Sequence, residues 1–68
     1  MNEQDFEFLV QEDAVGIRID GFLADKLNNF TRSHIQKIIQ ENGVFVNNKP
    51  VSKIYKLSKG DLIQINLP

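Results

Sequence analysis

Thr31–Lys49, TRSHIQKIIQENGVFVNNK, is the stretch whose reading decides the fold. Thr31 is a helix N-cap, its hydroxyl placed to accept from the backbone N–H of Ser33 or His34, and Phe30 and Ile35 stand at hydrophobic-staple spacing around it. Ile35, Ile38 and Ile39 predict a narrow buried stripe, while Arg32, Gln36 and Gln40, with Ser33 and Lys37 beside them, form a continuous polar side. Asn42-Gly43 supplies the left-handed residue that ends such a helix. Val44–Val46 reads as a strand and Asn47-Asn48 as a two-residue turn, since both residues tolerate positive φ. Lys49-Pro50-Val51 returns the chain as an edge strand, because proline cannot donate within a central ladder. A helix start with unpaired amides near Arg32 and Ser33 suits a phosphate. Arg32 can grip one through two parallel hydrogen bonds, Lys37 acts as a point charge one turn later, and Lys49 and Lys53 are placed for the far side of a groove.

Working outward, Phe6, Phe8 and Val10 alternate at period two and predict a short, half-buried strand, followed by a turn over Glu12–Gly16. Ile19, Phe22, Leu23, Leu27 and Phe30 then take up the three-and-four rhythm of an amphipathic helix. Asp20 and Asp25 are expected toward its N-terminal half, where the helix dipole favours acids, and Asn28-Asn29 is expected to end it in left-handed backbone. After the hairpin, Lys59-Gly60-Asp61 is a turn, and Leu62, Ile63, Ile65 and Leu67 predict a final strand. This order predicts an α+β fold in which two short helices pack on a small, mostly antiparallel sheet.

Sixty-eight residues, 41% of them hydrophobic, make one small domain, residues 1–68. A core of this size rarely supplies more than roughly 3–5 kcal/mol, and with no cysteine and one histidine neither a disulfide nor a histidine-cysteine metal site is available as a staple. The expectation is therefore a module of a longer polypeptide. The acidic start MNEQDFEF carries neither a signal peptide nor an apolar span, which makes a soluble, cytoplasmic protein the default. The net charge of −1 conceals an asymmetry. Residues 1–25 hold seven acids against one base, a balance of −6, and residues 26–68 hold seven bases against two acids, a balance of +5. Local potential rather than the total governs phosphate binding, although on charge alone a merely solvated basic surface fits as well.

The assembled residues resemble, across nearly the whole chain, the RNA-binding domain named after ribosomal small-subunit protein four, the alpha-L motif. The resemblance is carried by Gly16-Ile17-Arg18-Ile19-Asp20, Thr31-Arg32-Ser33, Gly43-Val44-Phe45-Val46-Asn47, Lys49-Pro50-Val51-Ser52-Lys53 and Gly60-Asp61-Leu62-Ile63. Each piece is weak alone, but the order and separations are specific. Asn48 departs from the pattern, which has glycine after the asparagine, and leaves the turn type open. Within the family the acidic first strand is most similar to the N-terminal domain of RluA/RluD-type ribosomal large-subunit pseudouridine synthases.

That resemblance implies structured RNA as partner, specifically large-subunit ribosomal RNA, with a catalytic pseudouridine synthase domain downstream in the same polypeptide and no cofactor. It adds Arg18, Asn47 and Asn48 to the RNA-binding set, which then reads Arg18, Thr31, Arg32, Ser33, Lys37, Asn47, Asn48, Lys49 and Lys53. No catalytic or metal-binding residue is expected in this chain, which has no thiol, acid–base pair or phosphate-binding glycine loop. Plainer roles stand beside these: Thr31 and Ser33 as capping residues, Arg18 as a partner of Asp20, His34 as a bystander, Tyr55 and the phenylalanines as core or rim, Asp61 as a turn residue. A stand-alone ribosome-associated factor, and a β-grasp sulfur carrier or interaction module suggested by the hairpin, are the alternatives. The carrier reading lacks the Gly-Gly end its chemistry needs, because the chain finishes Asn66-Leu67-Pro68.

Overall fold

The computed structural model describes residues 4–67, so Glu3, counted among the acids above, and Pro68, the proposed domain end, lie outside the described residues. The elements follow the expected order: β1 (Gln4–Leu9), a 3-10 turn (Glu12–Ala14), α1 (Ile19–Lys26), α2 (Arg32–Gln40), β2 (Val44–Val46), β3 (Lys49–Pro50) and β4 (Leu62–Leu67). The four strands form one sheet in the order β1-β4-β2-β3, antiparallel at every pairing. The last strand in sequence is thus central, and Pro50 lies on an edge, where its missing N–H breaks no ladder.

Alternation along the strands decides which face is covered. Phe6 opposes Ile65, which opposes Val44, and Phe8 opposes Ile63, which opposes Val46, giving two apolar rows on one face of the sheet. Ile19, Leu23 and Leu27, with Ile35, Ile38 and Ile39, complete the core, joined by Val10, Ala14 and Leu57. Burying a side chain of this size is worth about 1.5–3 kcal/mol, so the shared core supplies most of the cohesion of so short a chain.

The helix ends show local chemistry at work. Thr31 Oγ1 accepts from His34 N–H at 3.1 Å, closing the N-terminus of α2 as expected. At the other end Gly43 N–H donates to Ile38 O and Asn42 N–H to Ile39 O, with Asn42 at φ 62°, which is a Schellman closure. Asn42 therefore takes the left-handed position. Gly43 serves close approach instead, since a Cβ there would lie 2.7 Å from Ile38 Cγ2 and 3.3 Å from Asn66 O. The hairpin turn has φ 53° at Asn47 and 69° at Asn48, the pair of positive angles a type I′ turn requires, so asparagine replaces glycine without changing the turn.

Two expectations for the first helix are corrected. It stops at Lys26, and Asn28 and Asn29 are not left-handed; Phe30 N–H donates to Leu27 O, so an ordinary turn carries the chain into α2. Asn28-Asn29 were read as a C-cap by residue type, but the buried Leu27 already turns the backbone inward. In the shorter helix Asp25 falls in the last turn, where the dipole does not favour an acid.

The different roles of adjacent residues predict opposite outcomes. Gly43→Ala should destabilise the chain by about 1–3 kcal/mol through overpacking, whereas Asn42→Gly should leave stability within about 0.5 kcal/mol or raise it. Urea unfolding followed by circular dichroism checks both, and equal effects would contradict the assignment.

Candidate nucleic-acid interface

The backbone of residues 16–19 runs against residues 55–57: Gly16 N–H donates to Leu57 O, Leu57 N–H to Ile17 O and Ile19 N–H to Tyr55 O. This pairing, with a bridge between Arg18 and Lys56, delivers Arg18 to the start of α1. Beside it the side chain of Asp20 is wholly buried. Its Oδ2 accepts from Arg18 Nη2 at 2.9 Å and Gln36 Nε2 at 2.8 Å, and its Oδ1 from Gly21 N–H at 2.8 Å and Arg32 Nη2 at 3.2 Å. Gly21 leaves room for this arrangement, because a Cβ there would stand 3.3 Å from Arg32 Nη2. Two guanidiniums share one carboxylate, so the cluster keeps one net positive charge, with both arginine side chains about half exposed.

Burial by itself would raise the Asp20 carboxyl, but the hydrogen bonds from Arg32, Gln36 and the Gly21 N–H, together with the Arg32 charge, more than offset it and bring the pKa down to about 2. Gln36 also lines a groove of about 980 Å³ between α2 and residues 51–53. Ser33, Gln36, Lys37 and Gln40 form one wall and Ser52 and Lys53 the other, with Glu41 at the end of the helix.

The nine residues singled out from the sequence are thus placed in separate groups. Ser33, Lys37 and Lys53 line one groove; Arg18 and Arg32 stand together on Asp20; Thr31 caps α2. Asn48 and Lys49 are exposed at the hairpin, outside the residues that line the groove. Asn47 is engaged by the fold: its Nδ2 donates to Asp61 Oδ1 at 3.0 Å and its Oδ1 accepts from Leu62 N–H at 3.1 Å. Asp61, read as a simple turn residue, is buried and also accepts from Tyr55 OH at 2.7 Å and Ser58 N–H at 2.9 Å. Burial raises its carboxyl and these bonds lower it, with a net fall below the ordinary value. His34, read as a bystander, packs edge-on against Phe30 with ring centroids 4.9 Å apart.

The Arg18–Asp20 pair is the one expected from the sequence; sequence reasoning missed Gln36 as part of the site and Asp20 as the receptor of both arginines. A sequence signal existed for Gln36, which was placed on the polar side of α2; nothing local marked Asp20 as the group it would meet. Among the described residues no group of three or more histidine, cysteine, aspartate or glutamate side chains is placed to hold a metal, and no helix is long and apolar enough to cross a membrane.

Two helices on an antiparallel sheet, with Lys37 and Lys53 lining a groove and Arg18 and Arg32 paired on Asp20, make a small α+β module whose exposed cations suit nucleic acid. The S4 domain family matches residues 17–63, and the chain belongs to that family, the RNA-binding family its motifs resemble. Ribosomal large subunit pseudouridine synthase C of Vibrio parahaemolyticus is 41% identical over 56 residues, which is 82% of this chain and 18% of that protein. The same-named protein of Buchnera aphidicola is also 41% identical over 56 residues, again covering 82% and 18%. The uncharacterised RNA pseudouridine synthase YlyB of Bacillus subtilis is 32% identical over 68 residues, 100% of this chain and 22% of that protein. The chain therefore spans about a fifth of the length of the curated relatives it matches. Membership of the S4 family also decides against the sulfur-carrier reading of the hairpin.

The Asp20 cluster makes stability depend on pH. Its folded-state pKa lies below the roughly 3.9 of an unfolded aspartate, so its contribution is fully present above about pH 4 and is lost as pH falls through about 2. Asp61, also lowered, adds in the same direction. Asp20→Asn removes only the Asp20 share, so the stability gap between the parent chain and this variant should narrow by about 2 kcal/mol from pH 5 to pH 2. Urea midpoints measured across that range check this; a gap independent of pH would contradict it.

Proposed function

We propose that this S4 domain docks structured large-subunit ribosomal RNA in the cytoplasm and so positions a pseudouridine synthase domain attached to it, which carries the chemistry. The observation that supports this most is the groove between α2 and residues 51–53, which Lys37 and Lys53 line together with Ser33, Gln36 and Ser52. Phosphate binding needs fixed cations and hydrogen-bond donors, and this wall and the adjoining Arg18–Asp20–Arg32 cluster offer both. In this reading Asp20 is a positioning residue that holds two guanidiniums and, through its bond to Gln36, ties them to the groove wall, while Thr31 and Asn47 shape the helix start and the hairpin. Asn48 and Lys49 extend the contact along the hairpin.

Folded rather than single-stranded RNA fits best. All five phenylalanines and Tyr55 are half-buried, which leaves no exposed aromatic platform for stacking unpaired bases. Tethering then raises the effective concentration of the synthase domain near its uridine without new contacts in the catalytic centre. The names of the relatives, which concern ribosomal large-subunit pseudouridine synthases, support the choice of RNA and of attached domain.

Binding to a ribosomal RNA hairpin should weaken with salt, with a log–log slope of about 0.7–0.9 per neutralised phosphate, and Lys37→Ala and Lys53→Ala should each lower that slope by about one. Neither residue belongs to the Asp20 cluster, so the variants should unfold like the parent. Fluorescence anisotropy at stepped potassium chloride concentrations measures the slope, and an unchanged value in both variants would remove the groove from the interface.

A further inference from the structure

A second groove, of about 470 Å³, lies beside the outer edge of β1, and Glu7, Phe8, Leu9, Ile17, Phe22 and Asp25 are among the residues that line it. Consecutive strand residues point to opposite faces of a sheet. A groove lined by Glu7, Phe8 and Leu9 together must therefore run along the strand's edge, and β1 pairs with β4 only, so that edge is open.

The floor is apolar. Phe8 and Phe22 meet edge-to-face with centroids 6.0 Å apart, and Leu9 and Ile17 above them are 56% and 44% exposed, two of the four large hydrophobic side chains left in solvent among the described residues. The rim is acidic. Glu7, Asp13 and Asp25 line the groove, and Asp5 on β1 and Glu12 in the turn after it are exposed as well. Among the described residues the ion pairs all involve Asp20, so these five acids lack a cation partner, Glu7 Oε2 accepting only from the uncharged Gln64 Nε2 at 3.1 Å. Lys26 is the one base lining the groove, its Nζ 5.5 Å from the centre of the Phe22 ring.

From these observations we propose that the open β1 edge and its groove dock an extended, basic polypeptide segment carrying apolar side chains. Main-chain hydrogen bonds to β1 supply the pairing, apolar side chains on one face of the segment cover Phe8 and Ile17, and lysine or arginine on its other face answers Asp5 and Glu7 with its methylene stem lying over Leu9. Charge selects this occupant over two others. RNA is repelled by the same acids. A second copy pairing through β1 would bring Asp5 and Glu7 against their counterparts, and like charges across a strand pair are destabilising.

The test uses the 68-residue chain, isotopically labelled, titrated at low ionic strength with two capped seven-residue peptides, one alternating lysine and valine and the other glutamate and valine. The lysine peptide should shift the amides of residues 5–9 and 17–26 and leave those of 33–37 and 51–53 in place, while the glutamate peptide should shift none. Reversing Glu7 and Asp25 together to lysine should weaken lysine-peptide binding about tenfold, and Leu9→Ser should weaken it without altering its salt dependence. Shifts confined to other faces, affinity indifferent to these substitutions, or concentration-dependent dimerisation of the chain through β1 would each overturn the proposal. So would a ribosomal RNA hairpin that shifts the β1 amides.

Discussion

The enclosed carboxylate of Asp20 is the constraint on which the arrangement of this domain depends. A buried carboxylate costs several kcal/mol unless donors surround it, and here four do so from three parts of the chain: Arg18 before α1, the Gly21 amide inside it, and Arg32 and Gln36 on α2. The angle between the helices is thereby fixed by polar as well as apolar contacts. It also keeps two arginines, whose long side chains would otherwise sample many rotamers, close together beside the groove. Less conformational entropy is left to lose when either meets a phosphate.

Asp61 plays the corresponding part just before β4. It receives Asn47 from the hairpin turn, Tyr55 and Ser58 from the preceding loop, and so anchors the start of β4 to the segment that precedes it. The strand β4 is central, and its register sets which residues of β1 and β2 face the helices. One residue of slippage would turn Ile63 and Ile65 out to solvent. The turn chemistry of Asn47 and Asn48 and the Asp61 bonds act against that slip from both sides. In a chain without disulfides, two carboxylate clamps supplement the apolar core.

Which parts of this were legible in the sequence follows from the range of the interactions. The α2 cap, the buried isoleucine stripe, the Asn42 closure and the Asn47-Asn48 turn are each decided within four or five residues, and the pattern of residue types reveals them. The Asp20 site joins residues 12 and 16 positions apart, and the bond from Asn47 to Asp61 spans 14. Arg18, two residues before Asp20, marks it as an ion-pair partner, and that pair is present, but an aspartate in a first helical turn reads equally well as a dipole partner, and nothing within one turn marks it as the receptor of Arg32 and Gln36. Asn47 entered the RNA-binding set through the family resemblance, and its bond to Asp61 lay equally beyond local reading. Lys49 and Lys53 were expected on the side of a groove opposite Lys37; Lys37 and Lys53 line the groove, whereas Lys49 lies outside it.

The charge asymmetry acquires a different meaning once the buried groups are set apart. Asp20 and Asp61 are enclosed and hydrogen-bonded, so neither is free to weaken the potential of the surface as an exposed acid would. What remains is a basic groove formed by α2 and residues 51–53 and an acidic, partly apolar edge formed by β1 and α1. Screening over about 8 Å at physiological salt separates the two faces electrically even in a molecule this small. A polyanion near the groove therefore responds to Lys37, Lys53 and the net positive arginine pair more than to the net charge of −1. By the same reasoning the acids of β1 cost little affinity at the groove, which leaves that edge free to answer to a partner of opposite charge.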